Sequence, residues 1–174
     1  MFILNNITYI QLRAARQVLN IGVREVAKLL KVSKATISNA EQNKTRDFFF
    51  KHSAALIDFF EKNNIIFPNE YTIRFDSNKQ STHISEVYIQ KNINRFQLKA
   101  ARCILNYSQQ KLALTAKIDK GIISRSELLG NLVTIKTSDK KVEERLKNVF
   151  YDNNIEFINP YSIFFKKYID STLN

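Results

Sequence analysis

Ser33 opens a short run that combines a helix-capping hydroxyl with amide and ammonium side chains at helical spacing. Ser33 is a good N-cap and Ile37 falls where such a helix turns toward a core, so the positions around them face outward. An amide such as that of Asn39 can pair bidentately with adenine, and an ammonium such as that of Lys34 can reach guanine or a phosphate. The residues predicted to face a ligand of this kind are Lys34, Ala35, Thr36, Ser38, Asn39 and Gln42.

The chain contains a tandem duplication, so this run has a second copy. Gln11–Arg16 (QLRAAR) returns 86 residues later as Gln97–Arg102 (QLKAAR). Farther along, Asn63–Ile65 returns as Asn153–Ile155, with four extra residues in the second copy. Between the copies lies a stretch of polar turn formers without an apolar period, which is typical of a linker. The predicted organisation is a first copy at 1–75, a linker at 76–91 and a more divergent second copy at 92–174.

Further polar and basic side chains in both copies could hold phosphates. In the first copy Arg24, Lys28 and Lys44 are predicted to bind phosphates, a contact that fixes register rather than sequence. In the second copy Arg125 is suited to guanine, because its guanidinium presents two parallel donors. The residues predicted to take these roles in the second copy are Gln109, Gln110, Lys120, Ser124 and Arg125.

Each copy must form a small helical bundle to position these residues. Apolar residues at i, i+3 and i+7 from Leu12 predict a first helix over roughly 8–20, and further short helices follow. The predicted fold is mainly α, with two tandem bundles of four or five helices that each end in a short β-strand or hairpin. The β-leaning segments lie at 65–75 and 155–165. The hairpins around Tyr71 and Tyr161 are candidates for joining the two copies.

The segment at 26–41 resembles the helix-turn-helix of the Xre/Cro-type family of phage and bacterial repressors. Ala27 is the small residue where two helices approach, Val32 plugs the turn, and Ile37 pins the second helix to the core. The resemblance extends over most of the chain, in both copies. It implies a bundle that binds double-stranded operator DNA with its second helix in the major groove. Two copies in one chain would resemble a covalent twofold dimer, with recognition helices about 34 Å apart.

Each copy departs from the family pattern at a different place. The family's Ser-Gln at the start of the second helix is kept as Ser108-Gln109, whereas the first copy has Gly22-Val23 there. Lys31 and Lys117 stand where a glycine is usual between the two helices. Gly121, in the first turn of the second copy's recognition helix, is expected to weaken that helix by about 0.5–1 kcal/mol relative to alanine.

Composition narrows the class of function. The 174 residues include 27 Lys+Arg against 16 Asp+Glu, a formal net charge of +11, which favours a polyanionic partner such as nucleic acid. Residues 1–80 hold 12 basic and 7 acidic residues (+5) and residues 81–174 hold 15 and 9 (+6), so both copies share the charge. Three glycines argue against a phosphate-binding loop, and one cysteine and two histidines argue against a zinc site or a disulfide framework.

The expected function is therefore a sequence-specific, double-stranded DNA-binding transcriptional regulator that needs no cofactor and is not an enzyme. Intramolecular pairing of the copies or a homodimer would supply two half-sites. The alternative is a non-catalytic protein-interaction module, antitoxin-like or scaffold, that reuses the same bundle. No apolar run approaches 18 residues and no secretory leader is evident, so a cytoplasmic protein without membrane or small-molecule partners is expected.

Several conspicuous residues have plainer interpretations. The basic residues of the first helices are interpreted as solvated or helix-pairing charges, with contact to phosphate as the alternative: Arg13, Arg16, Lys99 and Arg102. Glu41 and Glu127 are interpreted as structural hydrogen-bond acceptors rather than catalytic acids. Cys103 is expected to be a semi-buried thiol, and 48–50 (FFF) is expected to pack in the core and between the copies. His52 and His83 have no partner at ligand spacing.

Overall fold

The structure is a computed structural model that describes residues 6–45, 47–76, 92–135 and 137–166. The predicted linker therefore lies outside the described residues except for Asp76, and so does His83. The first part of the chain forms α1 Tyr9–Val18, α2 Val23–Leu30, α3 Lys34–Glu41, α4 Phe48–Lys62, β1 Ile65–Ile66 and β2 Thr72–Phe75. The second part forms α5 Arg95–Ile104, α6 Gln109–Ala116, α7 Lys120–Ser126, α8 Lys140–Asp152, β3 Ile155–Asn159 and β4 Ser162–Phe165. The described chain is mainly helical with a small antiparallel sheet, as predicted, and the same order of elements occurs twice.

Side-chain caps begin the helices where the sequence predicts them. The Ser33 hydroxyl accepts a hydrogen bond from the Thr36 amide at the start of α3, and the Asp119 carboxylate accepts one from the Gly121 amide at the start of α7. Each cap satisfies an amide that has no partner within its helix. Thr8 and Asn94 open α1 and α5 with reciprocal capping boxes.

The glutamine of each capping box, which is the third residue of its helix, also hydrogen-bonds to a hairpin. Gln11 Nε2 donates to the Asn69 carbonyl at 2.6 Å, and Gln97 Nε2 donates to the Asn159 carbonyl at 2.9 Å. These amides are buried, so the bonds satisfy groups that water cannot reach. The repeated glutamine therefore holds the first helix of each part against the hairpin at the end of the same part.

Asparagine and lysine, rather than glycine, occupy the left-handed backbone positions. Lys31 and Lys117 follow α2 and α6 with φ of 54° and 53°, and no glycine of the described chain has positive φ. The other residues with positive φ are Asn20, Asn43, Asn64, Asn106 and Asn154. Asparagine tolerates this conformation better than most residues, whereas lysine carries the full steric cost of its Cβ. The chain therefore makes tight helix ends with very few glycines.

Replacing Lys31 by glycine should stabilise the fold. The change relieves the Cβ strain at φ 54°, offset in part by the greater freedom of glycine in the unfolded chain. We expect Lys31→Gly to raise the free energy of unfolding by about 0.5–1 kcal/mol in urea titrations. Lys28 is another exposed lysine and lies within α2. Lys28→Gly should lower the free energy of unfolding by about 1 kcal/mol. Equal losses in both variants would contradict a strained helix end.

The two parts of the chain share one four-stranded sheet with the order β1-β2-β4-β3. Strands β2 and β4 pair antiparallel, with Ile73 opposite Ile163 at the centre. These two residues are equivalents in the duplication, and the flanking bonds are equivalents too. The Phe75 amide donates to the Tyr161 carbonyl at 2.7 Å, and the Phe165 amide donates to the Tyr71 carbonyl at 2.9 Å. The register is thus unchanged when the two parts are exchanged, and the prediction that the hairpins join the copies is confirmed.

Helices α1 and α5 form the second contact between the two parts. Arg13 donates to the carbonyls of Cys103 and Ile104 at the end of α5, and Arg95 donates to the Val18 carbonyl at the end of α1. Lys99 is buried and donates to Asn20. Cations placed at helix C-termini satisfy carbonyls that lack a helical partner. Helix pairing is therefore confirmed for Arg13 and Lys99, and solvation is wrong for Lys99, whereas Arg13 is half-buried.

Burial of these cations has an electrostatic cost. Burial lowers the pKa of the Arg13 and Arg95 guanidinium groups. Burial also lowers the pKa of the Lys99 ammonium, and repulsion from the nearby Arg95 charge lowers it further. The same environment raises the pKa of the Cys103 thiol, chiefly because the charged thiolate would be desolvated. Cys103 is fully buried rather than semi-buried as predicted.

One continuous core unites the helices of both parts. Phe75 of β2 packs against Phe96 of α5 with ring centroids 5.8 Å apart, so the core crosses the junction. Phe48 is buried and Phe49 packs against the core, but Phe50 is 84% exposed, so the prediction of core packing was wrong for that residue. Phe50 follows Phe49 around α4 by 100°, which turns it away from the core. Within the described ranges, no helix combines the length and apolar character that crossing a bilayer requires.

Candidate nucleic-acid interface

Helices α2 and α3 meet across a short turn and present α3 at the surface. Val26 and Ala27 of α2 are buried, and Ile37 and Ala40 of α3 are buried against the same core. Val32, in the turn, is partly buried and packs on that core, as predicted. The apolar side of α3 therefore packs against the core, and its other side faces away from the bundle.

The outer side of α3 carries most of the residues that the sequence predicts. Lys34, Ala35, Asn39 and Gln42 are exposed, whereas Ser38 is half-buried. None of these five takes part in an ion pair or a side-chain hydrogen bond within the described chain, so their polar groups are available to a ligand.

Thr36 differs from the other predicted contacts on α3. Its side chain is half-buried, and its hydroxyl lies 2.9 Å from the hydroxyl of Ser33. Its backbone amide donates to the same Ser33 oxygen at 3.0 Å. Thr36 therefore supports the start of α3, and its methyl group is the part left for contact with a ligand.

Exposed basic residues of the first part lie on α2 and just after α3. Arg24 and Lys28 lie one turn apart on the exposed side of α2, and Lys31 continues the same line at its end. Lys44, just beyond α3, is also exposed. Among the residues that the structure describes, no ion pair involves any of these four. Their charge is therefore uncompensated, as binding to phosphates requires.

A buried ion pair sets the position of α3. Arg16 Nε lies 2.6 Å from Glu41 Oε1 and Arg16 Nη2 lies 2.9 Å from Glu41 Oε2, with both side chains buried. Arg16 Nη1 also donates to the Ile21 carbonyl at 2.9 Å. The interpretation of Glu41 as a structural acceptor is confirmed, whereas a solvated Arg16 is wrong. The pair connects the last turn of α1 to the last residue of α3 and so restrains the helix that carries Asn39.

The second part repeats this pair and adds to it. Arg102 Nε lies 2.5 Å from Glu127 Oε1, and Gln109 Nε2 donates to Glu127 Oε2 at 2.9 Å. Burial is the largest single influence on the pKa of Arg102 and lowers it, but the hydrogen bond to Glu127 and the charge attractions of Cys103 and Glu127 together outweigh burial, and the pKa lies above its usual value. Solvation of Arg102 is likewise wrong. Gln109, predicted to contact a phosphate, therefore also braces the end of α7.

The other predicted residues of the second part lie on the exposed side of α6 and α7. Gln110, Lys120 and Arg125 are exposed, and Ser124 is half-buried with its hydroxyl donating to the Gly121 carbonyl. Arg125 extends over Gly121, because a Cβ built on that glycine would lie 2.8 Å from Arg125 Nη1. Gly121 therefore provides room for the guanidinium on the outer face of α7.

No family model, curated protein or solved structure matches this chain. Across the described ranges, no group of His, Cys, Asp or Glu residues is arranged to hold a metal ion. His52 packs its ring against Phe48 at 4.9 Å.

Two exposed leucines on the second part were missed by the sequence analysis. Leu114 is 69% exposed at the position equivalent to Lys28, and Leu128 is 86% exposed at the position equivalent to Gln42. The 86-residue offset contains this information, since aligning the copies places each leucine opposite a polar residue. The two candidate surfaces are therefore alike in backbone and unlike in side-chain chemistry.

Proposed function

We propose that this protein is a sequence-specific, double-stranded DNA-binding regulator built from two tandem Xre/Cro-type helix-turn-helix bundles in one chain. The observation that carries the proposal is the outer face of α3. Its inward residues are fully buried, while Lys34, Asn39 and Gln42 stand exposed and unpaired beside uncompensated basic side chains. This arrangement suits an α-helix inserted into a major groove, with polar groups toward base edges and cations toward phosphates.

The junction between the two parts supports a pseudo-dimer. The β2–β4 register is twofold about Ile73 and Ile163, and α1 packs on α5 beside it. In twofold DNA-binding dimers the recognition helices enter adjacent turns of one groove, about 34 Å apart. The joined bundles could place α3 and α7 in this way. Lys120 and Arg125 keep α7 basic enough to share the contact.

The exposed leucines favour a second candidate, a non-catalytic protein-interaction module. Leu114 and Leu128 present apolar surface on the α6–α7 pair, which is a feature of protein interfaces. The first candidate is the better supported, because the outer side of α3 carries only polar and small residues and its basic neighbours are unpaired. A partner protein on the α6–α7 pair would be insensitive to substitutions on α3.

Substitution of Asn39 tests the proposed function. A site would first be selected from random duplex DNA with the full chain. Asn39→Ala should then weaken binding to that site by roughly 1–3 kcal/mol in fluorescence anisotropy, with little change on random duplex, because only base contacts distinguish the two.

Asn148→Ala is the matched control, since Asn148 is an exposed asparagine on α8. It should bind both duplexes as the unmodified chain does. Equal losses on selected and random DNA for Asn39→Ala would contradict base recognition by α3. No salt-sensitive binding to any duplex would contradict the proposed function itself.

A further inference from the structure

The α2–α3 and α6–α7 pairs share a backbone but differ in the side chains that they display. We propose that the protein recognises a non-palindromic duplex site, with an adenine read by Asn39 in one half and a guanine read by Arg125 in the other. This inference rests on the proposed DNA-binding function and adds to it the class of site that is bound.

The equivalence of the two pairs is structural. α2 and α6 each end in a left-handed lysine, and α3 and α7 each begin one residue after a side-chain cap. In both pairs a buried arginine forms an ion pair with a glutamate at the end of the second helix, Glu41 in the first part and Glu127 in the second. Positions 86 residues apart on α3 and α7 therefore display their side chains in equivalent places, and Asn39 corresponds to Arg125.

Asn39 and Arg125 cannot read the same base. An asparagine amide offers one donor and one acceptor, which match the N6 donor and N7 acceptor of adenine. A guanidinium offers donors alone, which match the O6 and N7 acceptors of guanine. At the next exposed position Gln42 corresponds to Leu128, whose side chain can only make apolar contacts, such as with a thymine methyl group.

The residue beneath each of these side chains matches its size. Ala35 lies one turn before Asn39 on α3, whereas Gly121 lies one turn before Arg125 on α7. A methyl group at Gly121 would come within 2.6 Å of the capping Asp119 Oδ1 and within 2.8 Å of Arg125 Nη1, so the glycine leaves room for both side chains where they lie. The glycine and the longer arginine occur together in the second part, as the alanine and the shorter asparagine do in the first.

Covalent joining permits this difference. A homodimer displays identical recognition helices, so its half-sites are constrained to be alike. Here β2–β4 pairing and α1–α5 packing join two unlike pairs in one chain. Both pairs nevertheless keep exposed basic residues at equivalent places, Lys31 with Lys117 and Lys34 with Lys120, so both can remain on the phosphate backbone.

The experiment is selection of bound fragments from random duplex DNA with the full chain at about 0.15 M salt. We expect a consensus with two unlike halves whose centres lie about 10 bp apart. Asn39→Arg combined with Ala35→Gly, which copies the arrangement of Gly121 and Arg125, should replace the adenine by guanine in one half and make the consensus more palindromic. Arg125→Ala should relax the guanine in the other half alone, with a loss of about tenfold or more on the original site. Asn148→Ala should leave the consensus unchanged.

Some outcomes overturn this inference while leaving DNA binding intact. They are a palindromic consensus for the unmodified chain, a consensus confined to a single half, or changes in the same half for both variants. No enriched fragment together with no salt-sensitive duplex binding overturns the proposed function and this inference with it. Circular dichroism of each variant distinguishes a changed contact from a lost fold.

Discussion

Glu41→Gln should lower the free energy of unfolding by about 3–5 kcal/mol, the largest loss that we expect from a single isosteric change. The substitution removes the charge that compensates the buried Arg16 guanidinium, which lies 2.6 Å away through its Nε atom. Arg16 then keeps only uncharged acceptors, the amide oxygen at position 41 and the carbonyl of Ile21. A charge left buried without its counter-ion is far more costly than the net value of the pair.

The measurement is urea denaturation followed by circular dichroism, with two comparisons. Asp58→Asn breaks the exposed ion pair between Asp58 and Lys62 on α4, and it should change stability by less than about 1 kcal/mol. The double variant Arg16→Met with Glu41→Met removes both charges, and it should recover most of the loss. If the Glu41→Gln protein is as stable as the Asp58→Asn protein, then the buried Arg16 charge does not depend on Glu41 for compensation.

The same variant connects stability to the proposed function. Glu41 is the last residue of α3, and its carboxylate is fixed to α1. In a Glu41→Gln chain that remains folded, α3 loses this restraint, and affinity for a selected site should fall more than affinity for random DNA. Specific contacts depend on the placement of α3, whereas phosphate contacts tolerate small shifts.

The features predicted successfully from the sequence are those governed by neighbours in the chain. Ser33 and Asp119 cap helices because the groups they bond lie two or three residues away. Ile37 faces inward because helical periodicity places it on the core side of α3, and Val32 packs on the same core from the turn five residues earlier. The duplication extended these predictions to the second copy, where Asp119 caps α7 and Ile123 is buried as Ile37 is.

The features that were missed depend on distant partners. Arg16 and Glu41 lie 25 residues apart and Arg13 lies 90 residues before Cys103, so neither pairing leaves a local pattern. From the sequence alone, an arginine on an amphipathic helix can equally face solvent or pair with another helix, because the position of that helix is not known. The hairpins were identified as the junction, but the register that sets Ile73 against Ile163 follows from packing of the two parts.

Affinity for duplex DNA should fall steeply as salt is added. Each phosphate contact releases a counterion, so log affinity should fall by about 0.9 per contact for each tenfold rise in salt. With about six phosphates contacted over both parts, raising salt from about 50 to about 200 mM should weaken binding about 2,000-fold. The first-copy residues expected to supply three of these contacts are Arg24, Lys28 and Lys44, all exposed and outside any ion pair in the described chain.

The triple alanine variant at these three positions should lose about half of the slope, because three of about six contacts are removed. Over the same salt range its affinity should then fall only about 40-fold. A matched control replaces three exposed lysines on other elements or at their ends, Lys51, Lys141 and Lys166, and so lowers the net charge equally. If the basic residues act through contact, the control keeps the slope of the unmodified chain. If both triple variants lose the same slope, the charge of the whole molecule governs binding, and the face formed by α2 and α3 is not the site.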